Sequence, residues 1–252
     1  QANQAFRVLR ALLNFAKATQ RIDGKPMLIE NAVDILSDAK VWNRVPPRSG
    51  RVPVNQIGAV WNFIEEQRRK PEQTLISRSM ADLTAFLLLT GARLAEATSL
   101  TWDRVNLSES WWFLPDPKNR NPVKFPLPKQ LVEILAERPR INQYVFPSRS
   151  RAGHISDARG LTKKISKLIV APITPHDLRR TFRAVVGECG IEFFKCKLLL
   201  NHKMGNDITI SAYTEKSDLR YLSKEIQMVA DWVASQGRAE KTGNVVPFRR
   251  AE

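Results

Sequence analysis

Apolar residues recur at helical spacing in one segment after another, beginning with Phe6, Leu9, Leu12, Leu13 and Ala16 and ending with Leu219, Leu222, Ile226, Val229 and Val233. The first set predicts a helix over 4–20 and the last a helix over 217–235. Similar periodicity predicts helices over 31–40, 57–67, 79–89, 94–100, 128–137, 157–169, 175–188 and 192–201. The helix over 79–89 is expected to be capped by Ser77 or Ser79 and stopped by Gly91, which places Arg93 at the start of the next helix. Strand-like patterning is best in Trp111 to Leu114 and Asn121 to Phe125, with Pro115-Asp116-Pro117-Lys118-Asn119 as the turn between them. The expected fold is therefore mainly α with a small antiparallel β-sheet, an α+β arrangement.

Helical period fails between Asn43 and Pro53, where Pro46, Pro47, Gly50 and Pro53 cannot continue a helix. A domain boundary belongs there. The expected organisation is a helical segment over 1–45, a linker over 46–54, a main domain over 55–236 and a polar, mobile tail over 237–252 that closes on Arg249-Arg250. The final amphipathic helix must bury its stripe, either within the chain or against a neighbouring copy.

Composition narrows the partner. The chain of 252 residues carries 40 Lys and Arg against 25 Asp and Glu, a formal charge of +15, and these cations recur along its whole length. A basic folded surface points first to nucleic acid, since contact with many phosphates releases counterions. A membrane is the poorer reading, because no apolar run approaches the length of a spanning helix. The two cysteines, Cys189 and Cys196, read as reduced core thiols near one face of a helical stretch. His154, His176 and His202 are too dispersed for a zinc site, and no structural metal and no cofactor are expected.

The chemistry-bearing residues fall in a definite order. Arg93 lies within Thr90-Gly91-Ala92-Arg93-Leu94-Ala95-Glu96; His176-Asp177-Leu178-Arg179, Leu200-Asn201-His202 and Tyr213 follow far downstream. A guanidinium presents a planar fork of donors that fits two phosphate oxygens at once. Two guanidiniums, two imidazoles and a phenol suggest phosphoryl transfer to the phenol.

This order resembles the tyrosine recombinases of the phage integrase family. Thr90 to Leu100 with Trp102 is similar to the family's first arginine box, and Lys118-Asn119-Arg120 leading to Pro126-Leu127 to its lysine hairpin. His176 to Arg179, Leu199 to His202 and Tyr213 complete the set, covering roughly residues 50 to 235, with a weaker likeness over Gln4 to Trp42. The resemblance implies the recombinase catalytic fold, preceded by the C-terminal part of a truncated helical DNA-clamping domain. It implies that Tyr213 attacks a DNA phosphorus to give a 3′-phosphotyrosine and a 5′-hydroxyl, without ATP or metal. Arg93 and Arg179 would hold the non-bridging oxygens, Lys118 would protonate the leaving oxygen, His176 would take the phenol's proton, and His202 would donate to a phosphate oxygen. Glu96 would support Arg93, with Arg180, Arg183 and Lys203 as DNA contacts. Double-stranded attachment sites, a homotetramer on DNA coupled by the last helix, and accessory DNA-bending or directionality proteins are the implied partners. The implied location is the bacterial cytoplasm, in a phage-encoded or bacterial nucleoid-associated protein.

Departures and rivals bear on this reading. Many family members carry Gly where this chain has Asn201, the non-glycine residue that best tolerates a left-handed backbone. Tyr144 sits in an apolar run and reads as core, whereas Tyr221, in the last predicted helix, is the rival nucleophile. A type IB topoisomerase would share the phosphotyrosine chemistry, and a non-catalytic DNA-binding regulator would need only the basic surface. A metal-dependent nuclease would need clustered carboxylates, which the sequence does not offer.

Overall fold

The computed structural model describes the chain except for residues 45, 47, 48, 73, 118–121, 203–216 and 243–252. Two compact units result, Gln1–Ser49 and Gly50–Glu252, divided within the proline-rich stretch. In the first unit, α1 (Ala2–Thr19) is followed by a hairpin of β1 (Arg21–Ile22) and β2 (Lys25–Pro26). Its two-residue turn, Asp23-Gly24, has both φ angles positive, the geometry that matches strand twist. The expected helix over 31–40 is instead a 3-10 turn, Ala32–Asp34, and a single α turn, α2 (Ile35–Asp38). Asn31 sets this turn: its amide donates to the Arg10 carbonyl at 2.9 Å and to Asn14 at 2.8 Å, while its oxygen accepts from the Val33 N–H. The apolar stripe of α1, including Leu12 and Phe15, is exposed.

The second unit is built around α4 (Leu75–Thr90), which is apolar nearly all round and buried over most of its length. Packed about it are α3 (Ile57–Arg69), α6 (Lys129–Ala136), α7 (Arg159–Leu168), α8 (Pro175–Glu188) and the last helix, α10 (Ser223–Thr242). The short helices α5 (Leu94–Thr98) and α9 (Phe193–Leu199) complete the helical set among the described residues. A three-stranded antiparallel sheet in the order β3 (Val105–Asn106), β4 (Trp111–Leu114), β5 (Val123–Pro126) covers one side. Strands β4 and β5 are the predicted hairpin; β3 is too short to show an alternating pattern. Phe86 of α4 meets Trp112 and Phe146 edge-on at 5.4 and 5.6 Å, and Trp112 stacks on Phe125 at 4.8 Å, so aromatic packing joins helix to sheet.

Three sequence expectations are corrected here. Helix α4 begins at Leu75, capped by Thr74, whose hydroxyl accepts the Ser77 N–H. Ser79 cannot serve as the cap because it is buried and accepts a hydrogen bond from Arg138 at 2.8 Å. Cys189 and Cys196 are buried free thiols, but they share no helix: Cys189 caps the end of α8, Gly190 turns the chain with φ of 69°, and Cys196 lies on α9. Burial pushes the Cys189 thiol up to about 12 and raises Cys196 as well. Finally, α10 runs on to Thr242, so the first part of the expected tail is helical, with Gly237 and Ala239 buried.

The stripe expected to couple neighbouring copies is also reassigned. Leu219, Leu222, Ile226, Val229 and Val233 are at most 2% exposed within the single chain, so they pack in cis. Helix α10 lies so close to α3 that a Cβ on Gly58 would sit 2.4 Å from the Gln236 carbonyl oxygen, and Asn62 donates to the Gly237 carbonyl at 2.8 Å. Removing five such side chains from water favours this packing by about 1.5–3 kcal/mol each.

One charged cluster is enclosed in the core. Asp82, fully buried on α4, accepts from Arg68 of α3 at 2.6 Å and from Arg138, which also donates to the Val145 carbonyl at 2.9 Å. The carboxylate thereby joins α3, α4 and the chain after α6. Replacing it leaves two cations without their shared counter-charge, so Asp82→Ala is expected to destabilise the second unit by about 3–5 kcal/mol. The check is the urea midpoint at unchanged m-value.

Candidate active site

The first arginine is placed by a helix stop followed by a helix start. Helix α4 ends at Gly91, with φ of 63° and its N–H bonded to the Leu87 carbonyl at 3.0 Å. A Cβ at Gly91 would lie 2.5 Å from the Phe182 ring and 2.9 Å from Leu200, so glycine is required by conformation and by space. Arg93 then caps α5. The Glu96 carboxylate accepts the Arg93 N–H at 3.1 Å and its Nη1 at 2.7 Å, fixing backbone and guanidinium together.

The second arginine comes from the start of α8. Asp177 accepts the Thr174 N–H at 2.8 Å and hydroxyl at 2.7 Å, and Pro175 occupies the first turn, so this end is capped without using His176. His176 is exposed on that turn, and Arg179, one turn on, points inward and is 7% exposed. Its Nη1 donates to the Gly91 carbonyl at 2.7 Å and its Nη2 to the Leu200 carbonyl. Thr181 holds the same helix to Val52, accepting its N–H at 2.9 Å.

Helix α9 brings in the third segment. Asn201 adopts φ of 46°; its N–H bonds to the Leu198 carbonyl at 2.8 Å and the His202 N–H to the Lys197 carbonyl at 3.0 Å. This is a Schellman ending, with Asn in the left-handed position usually given to Gly. The turn presents two successive carbonyls: Leu200 accepts from Arg179, and Asn201 accepts from Arg93 Nη2 at 3.3 Å. Arg93, Arg179 and His202, far apart in sequence, therefore converge on one turn.

Electrostatics follow from that convergence. Burial first, and then the charge of Arg93, lower Arg179 to about 10, so it remains protonated at neutral pH. His176 is held below its usual 6.5 by partial burial and then by Arg180 and Arg179. His202 is held down by partial burial and then by Arg179 and Arg93. Both imidazoles are thus neutral near pH 7, each keeping one lone pair and one N–H. The cations face carbonyl dipoles and Glu96, and an anion placed between them would relieve their mutual repulsion.

The remaining candidates fall elsewhere. Arg180 pairs with Asp177. Arg183 lies 5.4 Å from the centroid of Phe193, which Lys197 approaches at 4.7 Å, so this exposed ring carries two cations. Phe193 was missed in the sequence, although the aromatic-to-lysine spacing from 193 to 197 is one helical turn. Tyr144 is part-buried, edge-on to His154 at 4.8 Å, and Tyr221 is half-exposed in a 3-10 turn. Lys118, Lys203 and Tyr213 lie outside the described residues. Also missed were the carbonyl acceptors of Gly91, Leu200 and Asn201, for which no side-chain signal exists. Among the described residues no group of three His, Cys, Asp or Glu side chains is placed to hold a metal ion.

Glu96 carries two bonds that converge on Arg93. Glu96→Ala is expected to cost about 1 kcal/mol, the value of a lost helix cap, and Glu96→Gln to retain most of it; thermal unfolding of the two variants separates these outcomes.

A sequence model of the phage integrase family matches residues 51–220, spanning both arginine segments, the α9 ending and Tyr213. No curated protein sequence matches the chain. Among solved structures, the integrase from mycobacterium phage Brujita is similar with a TM-score of 0.51 at 16% identity, covering 92% of this chain and 75% of that one. The Tn1549 transposon integrase in complex with a circular intermediate DNA gives 0.56 at 17% identity, covering 96% and 78%. A lambda integrase dimer bound to a COC′ core site gives 0.54 at 16% identity, covering 80% and 71%. At these identities the structural likeness carries the fold, mainly helical with a small antiparallel sheet. The family match, with its ordered arginine and histidine segments gathered on one turn, shows that the chain belongs to the phage integrase family, the site-specific recombinases that cut and rejoin DNA.

Proposed function

We propose that this recombinase acts through a 3′-phosphotyrosine formed by Tyr213. The observation that carries the proposal is the pair of successive carbonyls, Leu200 and Asn201, that holds Arg179 and Arg93 side by side. A phosphodiester bound there would exchange weak carbonyl acceptors for anionic oxygens, and the arginines would stabilise the charge that grows at phosphorus during attack. The Tyr213 oxygen bonds to phosphorus, its proton passes to neutral His176, and the bond to the 5′-oxygen breaks as Lys118 supplies that oxygen with a proton. Rejoining reverses each transfer, and the bond energy is kept throughout. His202 donates to a non-bridging oxygen. Tyr213 is preferred to Tyr221 because it lies nearer to His202 in the chain and falls within the matched residues 51–220.

The partners follow from the same reading. The substrate is double-stranded DNA carrying attachment sites, in keeping with the DNA complexes of the Tn1549 and lambda integrases, and Arg180, Arg183 and Lys203 contact its backbone. The first unit, Gln1–Ser49, belongs to a helical DNA-clamping domain, and Gly50 onward is the catalytic domain. Joining two duplexes calls for four copies, assisted by accessory DNA-bending or directionality proteins; with the α10 stripe buried in cis, the copies meet through other surfaces. No described helix is long and apolar enough to cross a membrane. The proposed setting is the cytoplasm, on the nucleoid.

Trapping on a nicked suicide duplex bearing the attachment core, without added metal, tests the nucleophile: wild type gives a covalent band on a denaturing gel, and Tyr213→Phe binds DNA but gives none. A band from Tyr213→Phe would overturn the assignment. Arg179→Lys keeps the charge but loses the fork, and its single-turnover cleavage is expected to fall about a hundredfold. Because His176 sits below 6.5, the cleavage rate should stay level from pH 8 to about 6.5 and decline below it as the base is protonated. His176→Gln should cleave slowly and lose that acid limb.

A further inference from the structure

The chain that leaves Tyr213 returns to the described structure at Ser217, where it joins the sheet. Lys124 of β5 donates its N–H to the Ser217 carbonyl at 2.9 Å, and the Leu219 N–H donates to the Lys124 carbonyl at 2.8 Å, a parallel bridge centred on Asp218. Strand β5 is last in the sheet order, so this segment covers its outer edge. A side-chain clasp reinforces the bridge. Arg220 donates Nε to both Asp218 oxygens at 2.9 Å and Nη2 to one at 2.6 Å, and its backbone N–H reaches the same carboxylate at 3.1 Å. From the other side, Arg220 Nη1 reaches Glu109 at 3.4 Å, and Glu109 accepts the Trp111 indole N–H of β4 at 2.8 Å. The Lys124 ammonium lies 5.0 Å over the same indole.

We infer that Asp218 and Arg220 are positioning residues for the nucleophile: by clasping the segment to the edge of β5 they fix the anchor from which Tyr213 reaches the phosphate. This rests on Tyr213 as nucleophile. Four positions separate Tyr213 from Ser217, a span of at most about 14 Å, so where the anchor sits limits where the tyrosine can reach. The other end of the intervening chain, His202, is fixed by the α9 ending. The clasp adds little to folding, since its charges are part-exposed and such pairs contribute little to stability, whereas the buried Leu219 and Leu222 secure α10 on their own. Its bonds instead restrict geometry, and a displacement near 1 Å can cost roughly a hundredfold in rate. In the chain Lys118 falls between β4 and β5, so the clasp ties the strand that follows the general acid to the segment that follows the nucleophile.

The experiment must tell these two apart. Single-turnover cleavage is measured for wild type and Asp218→Ala/Arg220→Ala on the nicked duplex, with an ordinary 5′-oxygen and with sulfur in its place. Sulfur leaves as a thiolate without a proton, so it bypasses Lys118 and still needs Tyr213. The expected result is a fall of roughly ten- to a hundredfold on both substrates, with DNA affinity within about twofold and Tm within about 2 °C of wild type. Arg220→Lys should recover most of the rate. An unchanged rate overturns the inference, and so does a loss confined to the oxygen substrate, which would place the effect on the leaving-group proton. If the double variant does not fold, Glu109→Gln, which loosens Arg220 from its other side, is read in the same way with a smaller loss. Wild type that gives no Tyr213-dependent adduct would refute the phosphotyrosine reading itself, and the clasp with it.

Discussion

Arg179 donates to the carbonyls that end two different helices, Gly91 after α4 and Leu200 after α9, and the arrangement of the site depends on that shared guanidinium. Helix C-termini carry partial negative charge, so they suit a cation, but dipoles compensate a buried charge less fully than a carboxylate does. The cost is visible in the lowered affinity of Arg179 for its proton. An anion placed between the guanidiniums would recover it. Such preorganisation requires three local devices to agree: the missing Cβ of Gly91, the left-handed Asn201, and the Thr174–Asp177 cap that starts α8 one turn ahead of Arg179.

The helices that supply these ends are themselves held by the core. Helix α4 is the common neighbour, joined to the sheet through Phe86 and Trp112 and to α3 and the chain after α6 through Asp82. Helix α10 closes against α3 where Gly58 leaves room for the Gln236 carbonyl. Because α10 is secured in cis, the segment just before it has a fixed support, and the pairing of Ser217 and Leu219 with Lys124 follows from that. Packing in the core is thus transmitted to the chain adjoining Tyr213.

Much of this was legible in the sequence. The span of α8, the β4 limits and the Gly91 stop agree with the sequence because each depends on neighbours along the chain: helical period, strand alternation, a glycine at a helix end. Asn201 is left-handed as the sequence suggested. The errors have a different origin. Ser79 looked like a cap, but Arg138, distant in sequence, claims its hydroxyl. The cysteines looked like one helical face, but Gly190 turns the chain between them. The stripe of Leu222, Ile226 and Val229 was clear as a stripe, while its partner was not, since periodicity shows that a face must be covered and does not show by what.

The sequence by itself determined the family, the order of the arginine, histidine and tyrosine segments, the basic surface and the existence of most elements, because identity, charge and period are properties of residues or of near neighbours. Only the tertiary structure decided that Arg93 and Arg179 share one turn, that Arg183 and Lys197 lie on Phe193, that α10 packs in cis, and that Asp218 and Arg220 clasp the edge of β5. Each of these depends on where backbone carbonyls and distant side chains meet in space. A carbonyl is the same in every residue, so the acceptors that hold the two arginines leave no mark in the sequence until folding brings them together.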